Sequence, residues 1–118
     1  MAYKSKLEEA VAAELKGLKV KANYEPSKLP YVLERNYIPD WVVPSSGIIL
    51  EAKGKLDPDS RAKMKAVKKK HPHLDIRFIF SKANNKLNRN SKTTYGEWAT
   101  KNGFKWCEVG SIPKKWFK

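Results

Sequence analysis

The sequence predicts a single α/β domain. Helix-start signatures at Ser5, Asp57 and Thr94 are interleaved with strand-like stretches at residues 41–43, 48–50, 74–81 and 104–109. Such mixing of helical and strand patterns along one chain predicts a sheet with helices packed on it. The length of 118 residues fits one domain with a core of its own, near the small end for burial.

The charge balance predicts a polyanionic partner. The chain has 25 Lys and Arg against 12 Asp and Glu, a formal net charge of +13. Such an excess attracts polyanions, of which nucleic acid is the commonest, whereas a membrane surface would require a long basic amphipathic helix that is absent here. No signal-peptide pattern and no apolar run of about 18 residues occurs, so we expect an intracellular protein that is neither secreted nor bound to a membrane.

Cysteine and histidine are too rare to suggest a metal centre of their own. One cysteine, Cys107, and two histidines exclude an intrachain disulfide and argue against a zinc site. Cys107 is expected to be a small half-buried hydrophobic residue, and His71 and His73 to mark the end of a helix.

The first helix is predicted at residues 5–18. Ser5 and Glu8 have the spacing of a capping box, in which the Glu8 carboxylate would accept a hydrogen bond from the Ser5 N–H. An apolar stripe is formed by Leu7, Val11 and Leu15. At about 100° per residue, Glu8 falls only about 20° from Leu15, so it also faces inward. Capping and an inward functional role both remain open for Glu8, and Gly17 is expected to end the helix.

Residues 19–37 are predicted to be extended. Apolar and polar residues alternate irregularly there, and Pro26 and Pro30 restrict any strand to an edge or bridging position. So long an extended connection is unusual in a small domain, and pairing with a second chain would stabilise it.

The centre of the chain predicts a β-hairpin. Residues 41–43 and 48–50 are bulky or β-branched, and Pro44-Ser45-Ser46-Gly47 between them favours a turn. On the second strand, Glu51 and Lys53 share a face while Ala52 points away from it. Pairing of the two strands would bring Asp40, which precedes the first, beside Glu51 and Lys53.

Two carboxylates and an ammonium at one sheet edge suit metal-assisted phosphodiester hydrolysis. Magnesium takes carboxylate oxygens, polarises the phosphate and lowers the pKa of the attacking water. The spacing alone is a loose pattern in a chain with 31% charged residues, and a solvated ion pair is the alternative. The hairpin, the flanking Pro39 and Gly54, and the basic remainder of the chain favour catalysis.

A second helix is predicted to begin with Asp57 as its N-cap and Pro58 in its first turn. Its narrow apolar strip consists of Met64, Val67 and His71. The other faces carry six cations within residues 61–70. They form either a solvated face or a surface that contacts phosphates.

The last third of the chain predicts a strand at 74–81, a helix with a capping box that opens at Thr94 and ends near Gly103, a strand at 104–109 and a short ending at 112–117. Residues 82–92 form a polar loop whose asparagines and cations suit sugar and phosphate oxygens, or a mobile surface loop. The tryptophans are expected to be core or interface anchors rather than platforms for stacked bases.

These features together resemble phage endonuclease I, a Holliday-junction resolvase family of the PD-(D/E)xK nuclease superfamily. The resemblance rests on the Pro-Asp…Glu-x-Lys hairpin, the helix with an inward Glu before it, and the segments HPHLDIRFIFS and TTYGEW. It extends from Ser5 to about Trp116. It implies a restriction-endonuclease-like mixed β-sheet flanked by helices, one domain over 1–118, and a domain-swapped homodimer that exchanges about residues 1–36 through a bridging segment.

The resemblance also implies an activity: cleavage of four-way and other branched DNA that depends on Mg²⁺ or Mn²⁺, with one or two ions per site and no small-molecule cofactor. It leaves 5′-phosphate and 3′-hydroxyl ends. Asp40, Glu51 and the backbone carbonyl of Ala52 would ligate the metal. Lys53 would orient the water or the scissile phosphate, and Glu8 of the partner chain would reach toward a second metal. The expected DNA contacts are Lys6, Lys55, Arg61, Lys63, Lys65, Lys82, Lys86, Arg89 and Lys92.

The chain departs from this family in two respects. Ala52 stands where a hydroxyl residue is expected, which matters little because only its carbonyl is needed. No long basic tail follows Trp116, which is expected to weaken the grip on DNA arms. The alternatives are a restriction- or repair-type nuclease that acts on duplex DNA and a non-catalytic basic nucleic-acid-binding protein.

Overall fold

The computed structural model describes residues 3–26, 28–31 and 35–118. Its helices are α1 (Lys6–Gly17), α2 (Pro58–Lys70) and α3 (Tyr95–Lys101), with a 3₁₀ helix at Lys114–Phe117. Its strands are β1 (Asn23–Tyr24), β2 (Leu29–Tyr31), β3 (Arg35–Tyr37), β4 (Trp41–Val42), β5 (Ile49–Lys53), β6 (Ile76–Phe80) and β7 (Lys105–Glu108). The predicted extended stretch at 19–37 therefore contains three short strands, but Lys19 and Glu25 have positive φ and are not extended. Residues 27 and 32–34 lie outside the described part.

Five strands form one mixed sheet in the order β1-β4-β5-β6-β7. β4 pairs antiparallel with both of its neighbours, β1 and β5. β5, β6 and β7 run parallel, with α2 and α3 connecting them. β2 and β3 pair separately as an antiparallel ribbon. The predicted class, a mixed sheet with helices, is confirmed.

The sheet is covered on both faces. α2 and α3 pack on one face, where Met64 and Trp98 meet Phe78. α1 packs on the other, where Val11 and Leu15 belong to the cluster of Trp41, Leu50 and Ile79. All five residues of β6 are buried, as expected for a central parallel strand covered on both sides.

The start of α1 corrects one prediction. Ser5 is the N-cap, and its hydroxyl accepts a hydrogen bond from the Glu8 N–H at 3.1 Å. The reciprocal bond of a capping box is absent, because the Glu8 carboxylate accepts from the Lys4 N–H at 2.9 Å instead. Glu8 is buried, so its inward orientation is confirmed.

The other helix ends follow the sequence. α2 begins after the N-cap Asp57, whose carboxylate accepts from the Ser60 N–H at 2.8 Å. α3 has the complete capping box between Thr94 and Glu97. Within the described residues, no helix has the length and apolar character needed to cross a lipid bilayer.

The far end of α1 is tied to the end of the chain. The Glu14 carboxylate accepts hydrogen bonds from the backbone N–H groups of Gly110 and Ile112, the latter at 2.8 Å. Together with the apolar stripe, this carboxylate fixes the angle at which α1 crosses the sheet.

Candidate active site

The hairpin brings the predicted carboxylates together. Trp41 faces Leu50 in the β4–β5 register, so Asp40 and Glu51 are adjacent just beyond that pair. The Asp40 N–H donates to Glu51 Oε2 at 3.0 Å, and the Ala52 N–H donates to Asp40 Oδ2 at 2.9 Å. The proximity predicted from the spacing is therefore present, and backbone amides fix both carboxylates to the sheet edge.

Glu51 has a further partner that the sequence did not predict. The Tyr37 hydroxyl donates to Glu51 Oε2 at 2.5 Å, and the tyrosine side chain is fully buried in the core beneath α2. The two residues lie on different strands, and no spacing rule joins them. The only local signal was the position of the tyrosine shortly before Pro39 and Asp40 in an extended segment.

Burial makes both carboxyl groups difficult to ionise. Burial, with the neighbouring Glu51 as the next cause, raises the pKa of Asp40 to about 8. The pKa of Glu51 is also raised by burial, against the opposing effects of Lys53 and of the Tyr37 hydrogen bond. A cation at this position would compensate the cost of two buried negative charges.

Lys53 supplies part of that positive charge. It follows Glu51 by two residues on β5 and is half-buried. Its positive charge lowers the pKa of both Glu51 and Asp40. Its nitrogen makes no ion pair within the described residues, which leaves it available to an external oxygen.

Glu8 approaches the same carboxyl pair from α1. Its negative charge contributes to the raised pKa of Asp40. Glu8 Oε1 accepts hydrogen bonds from the Tyr24 hydroxyl at 2.5 Å and from the Lys4 N–H at 2.9 Å. Lys4 also forms an ion pair with Glu25 at 2.6 Å. In this single chain, therefore, Glu8 lies near the Asp40 of its own sheet.

The three carboxylates share one hydrogen-bonding pattern. In each, one oxygen accepts hydrogen bonds from the protein: Asp40 Oδ2, Glu51 Oε2 and Glu8 Oε1. The other oxygen of each has no hydrogen-bond partner among the residues that the structure describes. One oriented oxygen per carboxylate is thus available to a ligand.

The donor set fits a magnesium site in which the protein supplies only part of the coordination shell. Mg²⁺ is usually held by one or two carboxylates and keeps several waters or substrate oxygens. Asp40, Glu51 and the carbonyl of Ala52 provide such a set. In the described part of the chain, no three acidic, histidine or cysteine side chains converge to hold one ion. The role of Glu8 at a second metal stays a prediction.

Most of the candidate DNA contacts are exposed, and two of them contact other parts of the protein. Exposed in the structure are Lys6, Lys55, Lys65, Lys82, Lys86, Arg89 and Lys92. Arg61 donates to the carbonyl of Leu56 at 2.7 Å, and the Lys63 ammonium lies 5.7 Å from the ring centroid of Tyr37.

Lys63 and Lys65 lie on different sides of α2. Lys63 lies over the Tyr37 ring, and its charge lowers the pKa of Glu51. Lys65 lines a surface cavity with Lys69 and Asn102. Of these two lysines, Lys63 is the one over Tyr37, the hydrogen-bond partner of Glu51.

The one cysteine of the chain, Cys107, is not expected to react. Cys107 is buried in the cluster beneath α1, and burial raises the pKa of its thiol to about 12. The neutral thiol is a poor nucleophile, which confirms its prediction as a hydrophobic residue.

Comparison with known proteins decides the family. The family model of phage endonuclease I matches residues 1–118. The chain belongs to the phage endonuclease I family. It is 39% identical over 120 residues to Endonuclease I of Escherichia phage T7, covering 99% of this chain and 79% of that protein. It is 41% identical over 105 residues to Endodeoxyribonuclease 1 of Enterobacteria phage T3, covering 86% of this chain and 68% of that protein.

Membership of the phage endonuclease I family confirms the resemblance found in the sequence and identifies the chain as an endonuclease. It also favours catalysis over a solvated ion pair at the hairpin edge.

Proposed function

We propose that this protein is a structure-selective DNA endonuclease that resolves four-way and other branched junctions by Mg²⁺- or Mn²⁺-dependent phosphodiester hydrolysis. The observation that carries the chemistry is the pair of Asp40 and Glu51. Each has one oxygen tied to the protein and one left free, and Lys53 is close to both. Junction selectivity rests on the family resemblance.

The protein would bind the metal from one side and leave the other side open to water and the phosphate. Asp40 Oδ1, Glu51 Oε1 and the Ala52 carbonyl would hold the ion at the sheet edge. When bound, the metal would polarise the scissile phosphate and lower the pKa of the attacking water. Lys53 would orient that water or a phosphate oxygen. Attack of the water oxygen at phosphorus would break the bond from phosphorus to the 3′ oxygen. The 3′ oxygen would take up a proton and leave as the 3′-hydroxyl, and the phosphate would remain bonded to the 5′ oxygen.

The net charge of +13 supports DNA as the substrate. Lys63 would contact a phosphate beside the cut, and the exposed cations of residues 82–92 would contact the backbone further away. We propose no membrane partner and an intracellular site of action. If the gene is carried by a phage, that site is the cytoplasm of the host.

The proposal includes a homodimer of one nuclease domain, residues 1–118. About residues 1–36 would be exchanged, so that Glu8 completes the site of the partner chain. That segment contains residues 1, 2, 27 and 32–34, which are outside the described part of the chain. Resolution of a four-way junction requires cuts in two of its strands, and two linked sites would allow one dimer to make both.

A labelled four-way junction and a linear duplex of the same arm sequence, each incubated with Mg²⁺ and with a chelator, test the proposal. We expect the junction to be cut into two nicked duplexes with 5′-phosphate ends, only with metal, and the duplex to resist. Equal cutting of the duplex would instead identify a duplex nuclease. Binding without cutting in any divalent metal would identify a non-catalytic binding protein.

A further inference from the structure

The hydroxyl of Tyr37 has no role in the chemistry described above. It donates to Glu51 Oε2 at 2.5 Å, and the same oxygen accepts the Asp40 N–H at 3.0 Å. Two donors that converge on one oxygen restrict rotation of the carboxylate about its last bond. They leave Oε1 as the oxygen without a hydrogen-bond partner among the described residues.

The ring of Tyr37 alone does not require a hydroxyl at this position. The side chain is fully buried among Ile49, Leu56 and Met64, and a phenylalanine ring would fill the same space. A buried tyrosine hydroxyl needs a polar partner. Here the partner is a carboxylate at the site edge, and the bond falls on the oxygen that Asp40 already holds. This is the arrangement of an outer-shell donor that orients a metal-ligating group.

The Lys63 ammonium lies over the ring of Tyr37. It is 5.7 Å from the ring centroid, and its charge favours the ionised form of Glu51. The tyrosine is thus held between the core and a cation, which limits the movement of its hydroxyl.

We propose that Tyr37 is a positioning residue of the active site, whose hydroxyl holds Glu51 Oε2 so that Oε1 is presented to the divalent cation shared with Asp40. This inference rests on the proposed function. It adds a residue outside the Asp…Glu-x-Lys pattern to the machinery of the site.

Titration of the metal-free protein with Mn²⁺ in a calorimeter, without DNA, tests the inference. Tyr37→Phe should weaken Mn²⁺ binding by about 10- to 100-fold, the usual cost of losing an outer-shell partner. Tyr95→Phe is the matched control, because Tyr95 is buried in the same core and its hydroxyl makes no hydrogen bond within the described residues. It should bind Mn²⁺ as the wild type does.

The cleavage assay adds a second readout. For Tyr37→Phe, the Mn²⁺ concentration that gives half the maximal rate should rise, and much of kcat should return at saturating metal. A purely structural hydroxyl would lower the melting temperature of Tyr37→Phe and leave its Mn²⁺ affinity equal to that of Tyr95→Phe. That result would overturn the inference.

Glu51→Gln separates this inference from the proposed function. If Glu51→Gln binds Mn²⁺ as tightly as the wild type, the metal site itself is misplaced. If Glu51→Gln loses Mn²⁺ while Tyr37→Phe retains it, only the positioning role fails.

A measurement on the intact site covers the case in which Tyr37→Phe does not fold. A hydroxyl proton in a buried hydrogen bond to a carboxylate exchanges slowly and gives a downfield proton NMR signal. In the wild-type protein, saturating Mg²⁺ should shift the Tyr37 hydroxyl signal, because the cation changes the charge on Glu51. An unchanged signal at saturation would contradict the role of Tyr37.

Discussion

At the scale of single residues, the site depends on which carboxylate oxygen is occupied. The hydrogen bonds of Asp40 and Glu51 each fall on one oxygen and come from neutral donors. Neutral donors orient a carboxylate without cancelling its charge, so the negative charge remains available to a cation. This distinguishes the pair from a structural salt bridge such as that of Arg77 with Asp75, in which the guanidinium uses both carboxylate oxygens.

Asp40→Asn and Glu51→Gln should each abolish cleavage and leave junction binding close to wild type. Each change removes a charged ligand oxygen and keeps the size of the side chain, so we expect a loss of several orders of magnitude in kcat. Single-turnover cleavage and a gel-shift titration at one salt concentration measure the two effects. Glu9→Gln, on the exposed side of α1, is the control and should cut normally. Substantial turnover by Asp40→Asn at ordinary Mg²⁺ would contradict the assignment.

The raised pKa of Asp40 predicts how stability depends on pH. A carboxyl with a pKa of about 8 in the folded chain holds its proton more tightly there than in the unfolded chain, where its pKa is near 3.8. Between these values the unfolded state binds fewer protons, so the contribution of Asp40 destabilises the metal-free protein increasingly as pH rises, and it levels off above about pH 8.

Melting temperatures of the wild type and Asp40→Asn at several pH values, without metal, measure this contribution. The wild type should lose stability relative to Asp40→Asn as the pH rises toward 8, and Mg²⁺ should restore it. A difference between the two proteins that does not change with pH would show that Asp40 ionises normally in the folded protein.

At the scale of the elements, α2 places similar lysines in different environments. Lys63 lies over Tyr37 at the site, Lys65 lies on the side toward Asn102, and Lys68 donates to the carbonyl of Gly103 at 3.2 Å. A basic helix is therefore not a uniform phosphate-binding face, because packing already determines the direction of part of its charge.

Lys63→Gln should reduce the slope of log Kobs against log salt for junction binding by about one, since each phosphate contact releases counterions. Lys65→Gln, with the same change of charge on the same helix, should leave the slope close to the wild-type value. Fluorescence titrations at several salt concentrations compare the two. Equal loss of slope in both variants would show that DNA contacts α2 from both sides.

The local features of these elements could be predicted from sequence, while the distant ones could not. The caps at Ser5, Asp57 and Thr94 and the hairpin edge depend on residues a few positions apart or on one turn. The Tyr37–Glu51 bond joins residues 14 apart, and the bond of Glu14 to Gly110 joins residues 96 apart. Such contacts arise only when separate elements pack, and the sequence around each partner carries no mark of them. Of the two roles left open for Glu8, its inward orientation is confirmed, and its carboxylate accepts from the Lys4 N–H instead of completing the capping box.

At the scale of the whole molecule, the question is which α1 completes the site. It contacts the sheet through its apolar stripe and through two carboxylates, Glu8 near Asp40 and Glu14 at Gly110 and Ile112. In the proposed homodimer, the same contacts would be made by the α1 of the partner chain. The proposed homodimer differs from the single chain only in which α1 occupies that surface.

Mixed dimers of Glu8→Gln and Asp40→Asn chains distinguish the two arrangements. We expect each variant alone to be inactive. If α1 is exchanged, one site of a mixed dimer combines an intact Asp40 with an intact partner Glu8, and the other site carries both defects. Because one site is then fully wild type, nicking of a labelled junction should reappear, while coordinated cutting of both strands should not. If Glu8 serves its own chain, every site carries one defect.

The two variants must be unfolded and refolded together, because exchange of α1 requires its contacts with the sheet to break. Different affinity tags allow the mixed dimer to be purified, and variants refolded separately and then mixed are the control for simple addition of activities. Nicking that appears only after joint refolding would support the exchanged dimer. Well-folded mixed dimers without nicking activity would contradict it, since the proposal requires one of their two sites to be wild type. The single-chain geometry, with Glu8 beside its own Asp40, would then be the working arrangement of the site.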